Sequence, residues 1–266
     1  MADVLVTGGT GNLGRELVPL LITKGYDVRV LSRRERPEMP VGARGVRGDL
    51  VTGEGIDDAV AGADVIVHCA SGTGTIRGLG YRSARRTDVE ATQGLLERAK
   101  RLGTVPYVLY ISIVGIDRIP LGYYRAKLET ERLIEASGLP YTILRTTQWH
   151  TLAWELLSRL GVFPIFAVPK GLRSQLLDTT EVADRMASLL DGGPVGRAPD
   201  MGGPEVLGFD DIARAYLRAT GKRRAVLRVP LPGPTMAGFR ARHNLTPEYA
   251  DGRITWDEWL TRRVAT

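Results

Sequence analysis

The sequence is poor in the residues that staple small secreted proteins or bind metals. It contains one cysteine, Cys69, and three histidines among 266 residues. One cysteine excludes an intrachain disulfide and is typical of a reducing cytoplasm, and the separated histidines give no metal-ligand cluster. The sequence has no basic-then-apolar leader and no apolar run near the roughly 20 residues of a membrane helix. We therefore expect a cytoplasmic protein with no bound metal and no membrane segment.

Positive charge is in modest excess and is dispersed along the chain. The formal net charge is +6. The basic clusters lie far apart, at Arg33-Arg34, Arg85-Arg86, Lys222-Arg223-Arg224 and Arg262-Arg263. Aromatic residues do not interleave with them, as they do in many nucleic-acid-binding surfaces. We therefore expect a small-molecule ligand rather than a nucleic acid, and the oligomeric state stays open.

Short β-branched runs alternate with helical patterns over the first 150 residues. This alternation predicts an α/β fold in which helices cover both faces of a parallel sheet. The predicted strands are Val4–Val6, Val28–Leu31, Gly45–Val46, Val65–Cys69, Tyr107–Ile111 and Thr142–Leu144. The predicted helices are Leu13–Lys24, Ile56–Ala61, Arg85–Leu102 and Tyr123–Ser137.

The character of the sequence changes after residue 150. The segment that follows is aromatic and is interrupted by prolines, and a helical pattern with Thr180 as its predicted N-cap then returns. We expect residues 1–150 and 174–192 to form one domain. Residues 151–173 and 193–266 are expected to form a smaller C-terminal lobe that binds the substrate.

A glycine cluster, TGGTGNLG at residues 7–14, directly follows the first predicted strand. Gly8, Gly11 and Gly14 have the spacing G-x-x-G-x-x-G, and glycine lets the backbone turn with positive φ and approach a pyrophosphate. The N-terminus of the next helix offers free N–H groups to the anion. Because the cluster lies between a strand and a helix, it predicts a dinucleotide site rather than a bare turn. The sheet is then expected to be of the doubly wound Rossmann type.

The end of the second strand bears on the choice of dinucleotide. A carboxylate at this point binds the ribose 2′-hydroxyl of NAD, whereas this sequence has Ser32, Arg33 and Arg34. Guanidinium groups match the geometry of a 2′-phosphate, so we expect NADP. NAD is the alternative if the arginines are only solvated. Asp49, after the third strand, is a candidate acceptor for the adenine amino group, or else a helix cap.

A tyrosine and a lysine four residues apart define the candidate catalytic site. Tyr123 and Lys127 share one face at the start of a predicted helix, and Ser112 ends the strand before it. A nearby ammonium group lowers the pKa of a phenol from about 10, which suits the phenol for proton transfer at a carbonyl or alcohol. Lys127 would also hold the nicotinamide ribose, and Ser112 would polarise the carbonyl. The alternative is a surface pair on an amphipathic helix.

Five segments carry a family resemblance: TGGTGNLG, GDL, TDVEATQGLLERAKRLG, YYRAK and SGLPYTILRTTQWH, across roughly residues 3–195. On these motifs the sequence resembles the short-chain dehydrogenase/reductase superfamily, specifically its atypical, NmrA-like NAD(P)-binding branch. The resemblance implies that Ser112, Tyr123 and Lys127 are the catalytic trio, that Thr146 and Thr147 lie near the nicotinamide, and that the substrate cleft lies between the sheet edge and the C-terminal lobe. The residues expected to contact the cofactor are Gly8, Thr10, Gly11, Asn12, Leu13, Gly14, Ser32, Arg33, Arg34, Asp49, Leu50, Ala70, Ser71, Lys127 and Thr146.

Two positions depart from the family pattern. Typical members carry Asn in the helix after the fourth strand, where this sequence has Asp88. The side chain that orders their proton-relay water is therefore replaced. The frequent R-P-x motif after the sixth strand is here Arg145-Thr146-Thr147. Many members of this branch have lost the tyrosine and act as redox sensors, whereas this sequence keeps Tyr-x-x-x-Lys.

Aromatic residues after the sixth strand are the candidate substrate contacts, because open α/β sheets bind ligands at this edge. With the catalytic tyrosine, the expected substrate-binding residues are Tyr123, Trp149, His150, Trp154, Phe163 and Phe166. They predict a hydrophobic substrate, and the alternative for each aromatic residue is packing in the core of the lobe. His68, inside the fourth strand, is expected to be packed.

Together these features predict an NAD(P)-dependent oxidoreductase. Its hydride would move between the nicotinamide and a carbonyl, a quinone or an aromatic, polyketide-like small molecule. Two alternatives stay open: a non-catalytic regulator that senses the NAD(P) redox state, and a tailoring enzyme that uses the fold without net hydride transfer. The retained pair Tyr123 and Lys127 favours the enzyme.

Overall fold

The structure is a computed structural model that describes residues 1–35, 38–72, 80–103, 105–161, 163 and 165–265. Contacts between residues divide the chain into two compact units. The first unit consists of Met1–Ser112, Leu121–Leu144 and Val182–Ala198. The second consists of Ile113–Pro120, Arg145–Glu181 and Pro199–Thr266.

The described residues contain strands and helices in alternation. The strands are β1 (Asp3–Thr7), β2 (Asp27–Ser32), β3 (Arg44–Arg47), β4 (Val65–His68), β5 (Tyr107–Ile113), β6 (Tyr141–Thr146), β7 (Ile165–Pro169), β8 (Arg173–Gln175), β9 (Gly196–Arg197), β10 (Val206–Gly208) and β11 (Ala225–Val229). The helices are α1 (Asn12–Thr23), α2 (Ile56–Val60), α3 (Tyr81–Ala84), α4 (Ala91–Arg101), α5 (Gly122–Glu135), α6 (His150–Leu160), α7 (Thr179–Gly192), α8 (Phe209–Ala219), α9 (Pro234–Arg240) and α10 (Trp256–Val264). A π-helical turn, Arg85–Glu90, joins α3 to α4, and a 3₁₀ turn spans Pro247–Tyr249.

A parallel sheet forms the centre of the first unit. Among the described residues it has seven strands, in the order β3-β2-β1-β4-β5-β6-β9. β1 lies between β2 and β4 and pairs with both in parallel. The order of the strands reverses here, and in such doubly wound sheets ligands bind outside the carboxyl ends of the strands at this point. The expected α/β fold of Rossmann type is confirmed.

Buried apolar side chains hold the helices of the first unit against its sheet. One cluster joins β1 and β4 to α2 and α4 through Leu5, Ile66, Ile56 and Leu95. A second cluster joins β5 to α4 and α5 through Val108, Tyr110, Leu96 and Ile134. The β-branched runs of the sequence therefore form strands because both of their faces are covered. The same packing fixes α4, which follows the turn that carries Asp88, and α5, which carries Tyr123 and Lys127.

The predicted helix Arg85–Leu102 is divided in the structure. Its first six residues form the π-helical turn Arg85–Glu90, and α4 begins only at Ala91. A π turn contains one residue more than the corresponding α turn and occurs frequently at functional sites. Asp88 lies inside this turn and is 2% exposed.

The second unit has a core of its own, built largely from aromatic side chains. β7 pairs with β11 in parallel, and β8 pairs with β10 antiparallel. Trp256 of α10 is 1% exposed and donates its indole N–H to the Ile212 carbonyl oxygen at 3.1 Å. Its ring stacks on Trp259 with 5.3 Å between centroids. Phe166 of β7 is fully buried in the same core.

The helix expected to be capped by Thr180 begins one residue earlier. α7 starts at Thr179, and the Asp178 carboxylate accepts hydrogen bonds from the Thr180 amide at 2.8 Å and from its hydroxyl at 2.7 Å. Asp178 therefore occupies the N-cap, where a side-chain oxygen satisfies a free amide of the first turn. In the described part of the chain, none of the helices combines the length and apolar character required to cross a membrane.

Candidate functional site

Two glycines of the loop at the carboxyl end of β1, Gly8 and Gly14, leave no room for a side chain. Gly8 has φ +73°, and a Cβ there would lie 2.7 Å from the backbone nitrogen of Ala70, after β4. A Cβ on Gly14 would lie 2.4 Å from the Gly8 carbonyl oxygen. Both distances are shorter than van der Waals contact. The glycines therefore let the loop, α1 and the end of β4 meet at the point where the sheet order reverses.

The N-terminus of α1 presents backbone donors at this loop. Gly11 is the N-cap and supplies no side chain to the first amides of the helix. Uncapped amides and the positive end of the helix dipole favour a bound anion. The glycine cradle and the uncapped helix fit the pyrophosphate of a dinucleotide. Thr10, Asn12 and Leu13 lie in the same loop and first turn, and their contacts to the cofactor stay predictions.

The end of β2 leaves two cationic side chains in solvent. Ser32 is 8% exposed, and its hydroxyl accepts a hydrogen bond from the Arg34 amide at 3.1 Å. Arg33 and Arg34 are exposed, and neither guanidinium has an ion-pair partner among the described residues. One oxygen of Asp49 accepts the Val51 amide at 2.8 Å, so this carboxylate shapes the turn that contains Leu50. Contact of these side chains with a cofactor stays a prediction.

A directed chain of hydrogen bonds crosses the buried side of the site. His68 Nδ1 lies 2.6 Å from the Thr7 hydroxyl, and His68 Nε2 lies 2.8 Å from the Thr92 hydroxyl. Because Thr92 donates its hydrogen to the Asp88 carbonyl oxygen at 2.5 Å, it accepts from His68, which assigns the proton to Nε2. Thr7 then donates to Nδ1 and accepts from the Ala70 amide at 3.3 Å.

This chain joins β1, β4 and the π turn. Burial first, and then the charge of Lys127, lowers the pKa of His68 to about 3, so the ring is neutral. His68 was expected only to be packed. It also makes two side-chain hydrogen bonds, and a strand histidine flanked by apolar residues gives no sequence signal of such partners.

A second network reaches the candidate catalytic tyrosine. The Ser71 hydroxyl lies 3.0 Å from the Tyr123 hydroxyl and donates to Asp88 Oδ1 at 2.9 Å. Asp88 Oδ2 accepts from the Thr87 hydroxyl at 2.9 Å and from the Gly72 amide at 3.3 Å. The residue that replaces the family's Asn thus connects to Tyr123 through one hydroxyl. Sequence reasoning placed Ser71 only beside the cofactor and did not connect it to Asp88.

Lys127 and Ser112 occupy the carboxyl end of β5. The Lys127 ammonium donates to the Ile111 carbonyl oxygen at 2.9 Å and lies 4.2 Å from the centre of the Tyr110 ring. Burial lowers the pKa of Lys127, although the charges of nearby acidic groups oppose this effect. Ser112 is 2% exposed, and in the described part of the chain its Oγ has no hydrogen-bond partner. A buried hydroxyl without a protein partner is suited to meet a ligand.

Two adjacent phenols lie at the start of α5. Tyr123 and Tyr124 are both buried, with 6.2 Å between ring centroids. Burial raises the pKa of Tyr124 to about 12, which keeps its phenol protonated near neutral pH. Tyr123 is the phenol that contacts Ser71. Tyr123, Lys127 and Ser112 all belong to the first unit.

The remaining expected contacts lie in the second unit. The Thr146 hydroxyl accepts from the Trp149 indole N–H at 3.0 Å, and the Thr147 hydroxyl accepts from the Gly203 amide at 3.3 Å. His150 is fully buried, and its ring lies 5.6 Å from those of both Trp256 and Trp259. Trp154 and Phe166 pack in the aromatic core, whereas Phe163 is 57% exposed. Contact of these residues with a substrate stays a prediction.

The glycine cradle, the uncapped helix and the strand order define a dinucleotide-binding protein of the doubly wound α/β class. The chain belongs to the NAD(P)H-binding family, whose sequence profile it matches over residues 8–151, more than half of its length. The expected membership of the short-chain dehydrogenase/reductase superfamily is thereby confirmed. The fold neighbours lie in its extended branch, the NAD-dependent epimerases and dehydratases.

Curated relatives have diverse functions. The photosystem II assembly factor Ycf39 of Cyanophora paradoxa is 27% identical over 86% of this chain and 72% of its own length. Ceramide reductase of Caulobacter vibrioides is 26% identical over 88% of this chain and 76% of its own. A farnesyl-dihydroquinoline-oxide ketoreductase of Stigmatella aurantiaca is 39% identical over 55% of this chain, but this match spans only 38% of the ketoreductase. The relatives support an oxidoreductase-type protein and do not define one substrate.

Solved structures of low identity share the fold over nearly the whole chain. UDP-glucose 4-epimerase of Thermotoga maritima has a TM-score of 0.77 at 17% identity and covers 99% of this chain and 97% of its own. The Thermus thermophilus UDP-glucose 4-epimerase in complex with NAD has a TM-score of 0.76 at 18% identity and covers 99% and 98%. These similarities establish the architecture alone.

Proposed function

We propose that the chain is an NADP-dependent oxidoreductase acting on a carbonyl, quinone or aromatic, polyketide-like small molecule. The observation that carries the proposal is the arrangement of Tyr123, Lys127 and Ser112 in one unit. Tyr123 and Lys127 are buried on one face of α5, and Ser112 has a buried hydroxyl without a partner among the described residues. A surface pair would be solvated, whereas these three groups are buried.

Each residue of the trio has a distinct task in this proposal. Tyr123 gives a proton to the substrate oxygen during reduction and takes one during oxidation. Ser112 donates its hydrogen bond to the same oxygen. Lys127, with one N–H already on the Ile111 carbonyl oxygen, uses its other donors to hold the nicotinamide ribose, and its charge favours the tyrosinate. The cofactor, when bound, supplies or accepts the hydride.

The preference for NADP rests on the end of β2. Arg33 and Arg34 have exposed guanidinium groups, and an acidic residue does not take the place of Ser32. A 2′-phosphate would therefore meet cations instead of a repelling carboxylate. The remaining cofactor residues, from the glycine loop to Asp49 and Ala70, fit either dinucleotide. NAD is accordingly the alternative cofactor, and the experiment compares the two.

The decisive experiment compares two neighbouring phenols. The loss of reduced nicotinamide absorbance is followed with NADPH and with NADH over a panel of quinones, aromatic ketones and β-keto compounds. We expect turnover with NADPH, a fall of about 10²-fold or more in Tyr123→Phe, and near-normal turnover in Tyr124→Phe. Equal loss in both variants would refute the role of Tyr123. Faster turnover with NADH would refute the cofactor preference.

A second candidate, from another class, is a non-catalytic NAD(P)-binding regulator or assembly protein. The match to the Ycf39 assembly factor over 86% of the chain favours it. This alternative predicts tight NADPH binding without turnover of any compound in the panel. It also predicts that Tyr123→Phe retains the affinity for the cofactor and the biological activity.

A further inference from the structure

Asp88 is held in the site by donors on both of its oxygens. Ser71 bonds Oδ1, whereas Thr87 and Gly72 bond Oδ2. The side chain is buried in the π turn. Burying a charge without partners is costly, and the three donors offset this cost and hold the carboxylate in one orientation. The family's usual Asn has only one acceptor oxygen and could not take up a proton.

The direction of the bonds follows from what each group can donate. An ionised carboxylate only accepts, so Ser71 gives its single hydrogen to Asp88. The Ser71 oxygen can then only accept from Tyr123, whose hydroxyl lies 3.0 Å away. The phenolic hydrogen of Tyr123 is thus directed at Ser71, and the Ser71 hydrogen is directed at Asp88.

We propose that Ser71 and Asp88 form a two-step proton relay behind Tyr123. The proposal rests on the proposed function, because it assigns the destination of the proton that Tyr123 exchanges with the substrate. Before alcohol oxidation, the Tyr123 O–H bond breaks as a new O–H bond forms at Ser71. The Ser71 O–H bond breaks at the same time as one forms at Asp88 Oδ1.

These two transfers conserve every atom and move one negative charge. They convert Asp88 from carboxylate to carboxylic acid and Tyr123 from phenol to tyrosinate, while Ser71 ends as a neutral hydroxyl. The tyrosinate then takes the hydroxyl proton of the alcohol. Reduction uses the same bonds in reverse, starting from the protonated Asp88, and Asp88 exchanges its proton with water between turnovers.

Other titratable groups surround the relay and set its balance. Lys127 of α5 is a nearby cation. Burial lowers its pKa, and the charges of Asp88, Glu131 and Cys69 raise it. Burial, and then the charges of Asp88 and Tyr123, raises the pKa of Tyr110 of β5. The ammonium group of Lys127 favours the tyrosinate, whereas the Asp88 carboxylate opposes it until the proton arrives. The relay step moves the negative charge from Asp88 to Tyr123 and creates no second anion, whereas base titration of Tyr123 places its charge next to that of Asp88.

The first test uses the cofactor-free protein and does not depend on turnover. Tyrosines labelled with ¹³C at Cζ are titrated by NMR, and Tyr123→Phe assigns the signal of Tyr123. In Asp88→Asn the opposing charge is gone, so we expect Tyr123 to ionise about one pH unit lower or more. Thr87→Val is the matched control, because Thr87 bonds the Asp88 oxygen that faces away from Ser71. An unchanged titration of Tyr123 in Asp88→Asn overturns the relay.

The second test measures whether the two residues act as one path. We expect Ser71→Ala and Asp88→Asn each to slow alcohol oxidation about 10²-fold and the double variant to be no slower than either. Thr87→Ser keeps the hydroxyl donor to Asp88 and should stay within about twofold of wild type. Losses that multiply in the double variant would show two independent structural effects and overturn the relay. Because Ser71 is exposed, we expect Ser71→Ala to fold, so the test stays open even if Asp88→Asn does not fold.

The outcomes separate this proposal from the one it rests on. If the wild type turns over no compound, the proposed function fails and the NMR titration alone decides the coupling. If Tyr123→Phe abolishes turnover while Ser71→Ala and Asp88→Asn retain the wild-type rate, the relay fails and the oxidoreductase assignment stands.

Discussion

The buried His68 should make the first unit sensitive to mild acid. Burial, and then the charge of Lys127, lowers its pKa from 6.5 to about 3 in the folded chain. As the pH falls below 6.5, His68 becomes protonated in the unfolded chain but stays neutral in the folded chain. Between these two values the unfolded state therefore binds one more proton, and the free energy of unfolding falls by about 1.4 kcal/mol per pH unit. From pH 6 to pH 4.5 the loss is about 2 kcal/mol.

The substitution His68→Gln removes this contribution while keeping a polar side chain opposite Thr7 and Thr92. Urea unfolding of the wild type and the variant at several pH values gives a difference in which the carboxylates common to both cancel. We expect the stability of the wild type to fall by about 2 kcal/mol more than that of His68→Gln over this range. His243→Gln, a substitution in the second unit, controls for the loss of a histidine.

The choice of probe decides this experiment. All four tryptophans, Trp149, Trp154, Trp256 and Trp259, belong to the second unit, so their fluorescence does not report on β4 directly. Far-UV circular dichroism and hydrogen exchange of the β4 amides follow the first unit, and coincidence with fluorescence tests for a single transition. If the free energies of unfolding of wild type and His68→Gln fall in parallel with pH, His68 does not have a lowered pKa in the folded chain.

Three further substitutions test other parts of the structure. Gly14→Ala places a Cβ 2.4 Å from the backbone of the β1–α1 loop and should abolish NADPH binding, measured by fluorescence titration; Gly192→Ala, which meets nothing within 4 Å, should not change it. Trp256→Ala should lower the stability of the second unit by about 3–5 kcal/mol, because it empties the centre of the aromatic core, and a loss below 1 kcal/mol in urea unfolding would contradict that packing. The double substitution of Arg33 and Arg34 by Ser should weaken NADPH about tenfold or more and leave NADH nearly unchanged, because charge-assisted bonds to phosphate are lost; equal weakening in calorimetry would place the arginines away from the 2′-phosphate.

Much of the first unit could be predicted because its signals are local. Runs such as Val4–Val6 and Val65–Val67 are short, apolar and largely β-branched, and they form the buried parts of β1 and of β4, which ends at His68 rather than at the predicted Cys69. The two-residue strand Gly196–Arg197 carries no such pattern. It pairs with β6 only because the chain returns to the sheet edge after α7. The sequence gives no local sign of that return.

The candidate site divides in the same way. Spacing alone indicated the glycine loop and the pair Tyr123 and Lys127, since the strand–loop–helix context fixes where such residues lie. The contacts of Ser71 with Asp88 and Tyr123 join segments 17 and 52 residues apart. They depend on the pairing of β4 with β5 and on the angular position of Asp88 in its helical turn, which periodicity does not supply.

The π turn at Arg85–Glu90 makes residue count as important as residue type at this site. An α-helix advances by about 100° per residue, so deleting one residue between Asp88 and Ala91 would rotate Asp88 by about that angle relative to α4. The carboxylate would leave Ser71 although every polar residue of the network was still encoded. A relative that has the same network residues but one residue fewer in this turn would lack the connection to Tyr123. The number of residues in this turn therefore determines whether Asp88 reaches Ser71, independently of which side chains the turn carries.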